Sequence, residues 1–122
     1  MIVQERPAPQ TAQEARKLWV DALRSGKYKQ GKFALRRGDR FCCLGVACQL
    51  AVEAGVIPEP VQTSHDDEWV YGGKFTVLPK KVYQWLDIDE TGEYETGNLV
   101  SDNDDGKTFR SIASIIEREW PT

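Results

Sequence analysis

The sequence predicts a single α+β domain in which a small antiparallel sheet of two hairpins packs against about four helices. The hydrophobic period switches repeatedly between helical and extended spacing, and turn residues separate the segments. A length of 122 residues fits one domain, and hydrophobic and charged fractions of 40% and 29% exclude global disorder. We expect a flexible lead-in over residues 1–10 and the domain over residues 11–122.

The first helix is predicted over Ala12–Ser25. Thr11 and Glu14 form a capping box at its start. Behind that box, apolar residues follow the i, i+3, i+4, i+7 spacing of an amphipathic helix, namely Ala15, Leu18, Trp19, Ala22 and Leu23. Gly26 is the type of residue that commonly ends a helix.

Two segments have the extended spacing of β-hairpins. The first hairpin is predicted to pair Lys32–Arg37 with Arg40–Cys42 around a Gly-Asp turn. The second is predicted to pair Glu68–Tyr71 with Lys74–Leu78 around a Gly-Gly turn, which is a strong hairpin signal.

Helical spacing predicts three further helices. One runs from Cys43 to a stop at Gly55. A short one follows Pro79, and residues 87–98 then form an acidic, turn-rich segment with a short strand at Tyr94. The last helix has one apolar face, made of Phe109, Ile112, Ala113, Ile116 and Trp120.

Residues 24–40 are unusually basic, with seven basic side chains and one acid for a local charge of +6. Aromatic residues lie between them. Arg and Lys donate charge-assisted hydrogen bonds to phosphates, and aromatic rings stack on bases, so this segment could bind an anionic ligand. The alternative is a solvated hairpin face whose cations pair with the protein's own acids. The candidate ligand-binding residues are Lys27, Tyr28, Lys29, Gln30, Lys32, Arg36, Arg37 and Arg40.

Charge also divides the chain into two halves. Residues 1–60 carry +4 and residues 61–122 carry −7, although the whole chain carries only −3. If folding pairs the halves, the solvated alternative is favoured. If it leaves two faces, an anionic partner is favoured, such as a nucleotide-like ligand, nucleic acid or an acidic host protein. A second hypothesis is an inhibitor whose acidic face over residues 87–105 imitates nucleic acid.

The cysteines are Cys42, Cys43 and Cys48, and their odd number and spacing fit neither a disulfide framework nor a zinc site. We therefore expect reduced thiols, no metal and no cofactor. Cys43 starts a helix, where backbone N–H groups lower a thiol pKa. With His65 as its base it is a weak candidate for a thiol-dependent enzyme. Packing is favoured over catalysis for Cys42 and Cys43, so we lean towards a protein that is not an enzyme.

An acidic run at Ser101–Gly106 resembles a calcium loop, but the position of the essential glutamate falls on Ile112, which excludes calcium. We expect these acids at the N-terminus of the last helix, where its dipole favours them. The apolar runs are far shorter than the roughly 20 residues that span a bilayer. Residues 1–10 contain no secretory signal, so the cytoplasm is the expected location.

Several motifs together resemble a family of small proteins from bacteriophages and prophages. They are Lys27-Tyr28-x-Gln30-Gly31, Leu35-Arg36 and Phe41-Cys-Cys-Leu-Gly-Val46-x-Cys48. The resemblance extends over about residues 16–118. It implies a phage origin, the host bacterial cytosol as location, and an accessory role such as blunting host defence, but no particular reaction.

Overall fold

Five helices and seven two-residue strands follow one another in the computed structural model, which describes residue 9, residues 11–63 and residues 67–121. The helices are α1 (Ala12–Arg24), α2 (Cys43–Glu53), α3 (Lys80–Leu86), α4 (Leu99–Asp104) and α5 (Phe109–Glu119). The strands are β1 (Lys29–Gln30), β2 (Arg36–Arg37), β3 (Arg40–Phe41), β4 (Val61–Gln62), β5 (Trp69–Val70), β6 (Glu93–Tyr94) and β7 (Gly97–Asn98). The predicted α+β class is therefore confirmed. The predicted lead-in lies outside the described residues except for residue 9.

Helix α2 forms the centre of the core. Every residue from 43 to 48 is buried, and the helix has no charged residue before Glu53. A helix that is apolar on all sides has to be covered on all sides, and α1, α3 and α4 each contact it. Trp19 of α1 donates its indole N–H to the carbonyl of Cys43 at 2.9 Å, which attaches α1 to the start of α2.

The first and last helices pack mainly against each other. Arg24 and Glu117 form a bidentate ion pair between them, with N–O distances of 2.7 and 2.8 Å. Arg16 is buried and donates to the carbonyl of Leu86 at 2.8 Å, which joins α1 to the end of α3. The predicted cap is present, since the Thr11 hydroxyl accepts the N–H of Glu14. The apolar faces predicted for α1 and α5 are both directed into the core, where Trp19 and Ile116 are fully buried.

The first sheet has the strand order β1-β3-β2. Its antiparallel pair β2–β3 confirms the predicted first hairpin, although the paired part is shorter than predicted. Strand β1 was not predicted, and it pairs with β3 in parallel. The sheet is therefore mixed and not purely antiparallel.

The predicted second hairpin is wrong in its partner strand. Its Gly-Gly turn closes a single bridge between Tyr71 and Lys74, and β5 pairs instead with β4. The backbone after Lys74 makes other bonds, because the carbonyl of Phe75 accepts the N–H of Leu35 at 2.7 Å. A backbone group bonded to another loop is not available for a hairpin ladder.

Candidate functional site

Three cations lie side by side on one face of the first sheet. The register pairs Lys29 with Arg40 across β1 and β3, and Arg40 with Arg37 across β3 and β2. Paired residues point to the same face of a sheet, and all three are exposed. Lys29, Arg40 and Arg37 thus form a line across the sheet, termed the cation row.

Two carboxylates flank the cation row. Lys29 contacts Asp39 and Arg37 contacts Glu68, both at 2.9 Å, and the Lys29 ammonium holds the pKa of the Asp39 carboxyl below its usual value. Arg40 donates only to the carbonyl of Gln30, at 3.3 Å, and forms no ion pair with a described residue. The middle of the row therefore presents a guanidinium in no direct ion pair with a described residue, although its charge also helps to lower the pKa of the nearby Asp39 carboxyl.

Arg36 belongs to the opposite face of the same sheet. Its guanidinium lies over the ring of Trp69 at 4.2 Å and the ring of Phe41 at 5.0 Å. Its Nε donates to the carbonyl of Gly38 at 2.9 Å. Because its guanidinium contacts two rings of the protein itself, Arg36 packs within the fold on the face opposite the cation row.

The other predicted binding residues divide between surface and interior. Lys27 and Lys32 are exposed, and the ion pairs of the described residues include neither. Tyr28 is half-buried and packs edge-on against Phe41 at 5.3 Å, and burial raises the pKa of its hydroxyl. The side chain of Gln30 turns inward to Asn103. Five of the eight predicted residues thus remain accessible as cations: Lys27, Lys29, Lys32, Arg37 and Arg40.

Helix α4 was missed, and it holds the loop that joins β1 to β2. Asn103 is fully buried, and its amide nitrogen donates to the carbonyl of Gly31 at 2.8 Å. The carboxylate of Asp104 accepts the N–H of Phe33 at 2.9 Å. The expectation that these acids begin the last helix is wrong, because Asn98 caps α4 and Thr108 caps α5. Residues 101–106 have the polar sequence that is typical of a loop. Their helix is not visible in the sequence because Asn103 and Asp104 form hydrogen bonds with backbone groups far away in the chain.

A small cavity of about 140 Å³ opens where this loop meets α4. Its walls are mainly apolar, with one carboxylate, and they are formed by Phe33, Ala34, Cys42, Thr76, Val100 and Asp104. Phe33 is 66% exposed and has a φ of 67°, a left-handed conformation that is unusual for a bulky residue. The sequence showed an aromatic between basic residues at this position but gave no signal of the cavity.

The charge halves are paired only in part. Among the described residues two ion pairs join them, Arg24 with Glu117 and Arg37 with Glu68, whereas the pair of Lys29 and Asp39 lies within the basic half. The prediction offered full pairing or two separate faces, and the structure lies between these outcomes.

Two acids of the acidic half make contacts that hold the fold together, whereas Asp87, Glu90, Glu93, Glu95 and Asp105 are exposed. Asp102 is buried, binds Lys107 at 2.9 Å and accepts the hydroxyl of Tyr94, and this hydrogen bond raises the pKa of Tyr94 to about 12. Asp89 accepts the backbone N–H groups of Thr91 and Glu93. These two acids organise the segment between α3 and α5 and are not free for a partner.

The thiols are packed in the core, as the sequence favoured. Cys42 is the N-cap of α2, and its sulfur accepts the N–H of Gly45 at 3.4 Å. Burial raises the pKa of Cys42 to about 11 and that of Cys43 well above its usual value, so the lowering expected at a helix start is not found. Burial likewise raises the pKa of Cys48. His65 lies outside the described residues.

Within residues 11–63 and 67–121, no group of three or more His, Cys, Asp or Glu side chains is arranged to hold a metal ion. The helices of this part are also too short and too polar to cross a membrane. Neither the curated proteins nor the solved structures include a match to the chain. A family model described as a domain of unknown function (DUF8296) matches residues 11–120. Because the match covers nearly the whole chain, the protein belongs to the DUF8296 family.

Proposed function

We propose that this protein is a small, non-enzymatic binding module that holds an anionic partner on the cation row. The observation that carries the proposal is the register of Lys29, Arg40 and Arg37, which places three cations on one exposed face. The middle cation, Arg40, forms no ion pair with a described residue, so its guanidinium can bind a phosphate or carboxylate in bidentate geometry.

The two carboxylates beside the row support this role. Asp39 and Glu68 orient Lys29 and Arg37, each at 2.9 Å, and exposed ion pairs of this kind are worth less than about 1 kcal/mol. A polyanion can therefore displace the Asp39 and Glu68 carboxylates from these two cations at a small cost in free energy. Lys27 and Lys32, both exposed, extend the positive surface along the chain on either side of β1.

The resemblance of residues 27–48 to small phage and prophage proteins supports an accessory role in a bacterial cytosol. For an accessory protein that acts by occupying a host molecule, a binding surface is sufficient and no reaction centre is required. The buried thiols support the same view, because a thiol with a raised pKa is a poor nucleophile.

The proposal is tested by titrating the protein into labelled inorganic polyphosphate over a series of salt concentrations. Binding should weaken as salt rises, because neutralised phosphates release counterions. In a Lys29→Gln/Arg40→Gln variant we expect affinity at low salt to fall at least about tenfold, and the salt slope to fall by about 1.4, which is two contacts at about 0.7 each.

The matched control is Lys80→Gln/Lys81→Gln, which removes the same charge from two exposed positions on α3. Its affinity and salt slope should equal those of the wild type. Equal loss in both variants would show that only total charge matters, and an absence of binding at low salt would refute the proposal.

A further inference from the structure

We infer that the anionic partner is a single-stranded nucleic acid and that the cavity beside Phe33 receives one of its bases. This inference rests on the proposed function, because it assigns the chemistry of the partner that the cation row would hold. Four observations lead to it.

The first observation is the unusual conformation of Phe33. Its φ of 67° is one that glycine adopts without strain and a bulky residue rarely adopts. The residue is 66% exposed, so burial in the core does not account for the side chain. A strained residue with an exposed apolar ring is the kind of outlier that points to a contact with a partner.

The second observation is a neighbouring exposed ring. Phe75 is 47% exposed, and its carbonyl is bonded to Leu35, two residues beyond Phe33. These two are the exposed aromatic side chains of the described residues, and they lie on segments that both line the cavity, through Phe33 and Thr76. Exposed rings beside cations are the usual elements of a surface on which bases stack.

The third observation is the single carboxylate of the cavity. One oxygen of Asp104 accepts the N–H of Phe33 at 2.9 Å, and the other makes no hydrogen bond to a described residue. A carboxylate repels a phosphate but accepts the exocyclic amino group of a base. The cavity is therefore suited to a base, whereas the phosphates belong on the cations outside it.

The fourth observation is the short distance between the cavity and the cations. Lys32 directly precedes Phe33, and Lys29 of the cation row lies four positions before Phe33, a span of at most about 14 Å. A single nucleic-acid strand can therefore place its phosphates on the cations and one of its bases on Phe33. A duplex keeps its bases stacked inside and paired, so the arrangement favours a single strand.

The experiment compares three labelled probes: a single-stranded DNA of mixed sequence, the duplex of that sequence, and inorganic polyphosphate. The decisive variant is Phe33→Gly, which removes the ring and suits the backbone conformation, so it should be at least as stable as the wild type in thermal unfolding. The control is Val61→Ala, which shortens another exposed apolar side chain, 68% exposed, on β4.

We expect Phe33→Gly to lose roughly 5- to 100-fold in affinity for the single strand, the effect of one stacked base, with unchanged affinity for polyphosphate. Val61→Ala should keep both affinities. Unchanged single-strand binding by Phe33→Gly, or equal wild-type affinity for all three probes, would refute this inference and leave the proposed function standing. Failure of the wild type to bind any of the three probes would refute both proposals.

Discussion

The side-chain oxygen of Asn103 accepts the backbone N–H of Cys43 at 3.1 Å across 60 residues of sequence. The same oxygen accepts the side-chain amide of Gln30 at 2.9 Å, and the nitrogen of Asn103 donates to Gly31. One buried amide thus joins α4 to the first turn of α2 and to the loop after β1. Without it the buried N–H of Cys43 and the half-buried carbonyl of Gly31 would lose their partner, whereas Gln30 would keep its bond to the carbonyl of Lys107.

Replacing Asn103 with alanine should therefore destabilise the protein by about 3 kcal/mol or more. The change leaves the Cys43 N–H and the Gly31 carbonyl without a partner, and each unsatisfied group costs roughly 1–3 kcal/mol. Urea unfolding gives the measurement. The control Asn98→Ala removes the N-cap of α4 and should cost about 1 kcal/mol. Equal losses in the two variants would contradict the role of Asn103.

At Gly45 we predict that alanine lowers the stability of the protein, although helix propensity alone predicts that alanine raises it. Alanine is better than glycine inside a helix by about 1 kcal/mol. A Cβ at Gly45, however, would lie 1.7 Å from the carbonyl oxygen of Leu35, which already accepts the N–H of Cys42. We expect Gly45→Ala to lower the free energy of unfolding by about 3 kcal/mol or more, the upper end for overpacking. A variant as stable as the wild type would show that this contact is looser.

Arg36 and Arg37 are neighbours in sequence but should respond differently to alanine. The Arg36 guanidinium contacts the rings of Phe41 and Trp69, so its loss should cost roughly 1–3 kcal/mol through two cation–π contacts and lost packing. Arg37 is exposed and pairs with Glu68, so its loss should cost less than about 1 kcal/mol. In polyphosphate binding, by contrast, Arg37→Ala should have the larger effect. The reverse order in either assay would contradict the assignment of the two residues to opposite faces.

The thiols should be inert in the folded protein. All three cysteines are buried, and burial raises the pKa of each thiol. At pH 8 we expect iodoacetamide to modify none of them in the native protein and all three in urea, as counted by mass spectrometry. Rapid modification of one cysteine in the native state would restore the thiol-enzyme hypothesis.

Alkaline pH should destabilise the fold through the same groups. The pKa of Cys42 is raised from 9.0 to about 11, so the folded state favours the protonated thiol. Its contribution to stability is complete below pH 9 and is lost as the pH rises through about 11. Cys42→Ser keeps an N-cap oxygen that does not titrate, and its free energy of unfolding should fall less steeply above pH 9. An identical slope in the variant would contradict this prediction.

The long helices could be predicted from the sequence because their signals are local. The capping box at Thr11 and the apolar spacing behind it locate α1 to within one residue of its end. The face predicted for α5 is buried, with Trp120 half-buried at its end. Helix α4 could not be predicted, since it has six residues and its polar side chains bond to a loop 70 residues earlier.

The candidate site could be predicted only as a segment. Charge density identifies the basic segment, but strand register decides which of its cations share a face. The parallel partner β1 was not visible in the sequence, because two residues carry too little pattern. Arg36 and Arg37 therefore looked equivalent, although alternation along β2 places them on opposite faces. The cavity at Phe33 depends on α4 and on residue 76, both distant in sequence.

The pairing of α1 with α5 has a consequence for synthesis of the chain. Arg24 and Glu117 are 93 residues apart, and α1 packs mainly against α5. A ribosome releases the amphipathic face of α1 long before it releases the helix that covers it. The apolar face of α1 that packs against α5 therefore stays exposed to solvent until the α5 segment has emerged. Folding of this domain is therefore expected to include a late step that joins α1 to α5 after the α5 segment has emerged.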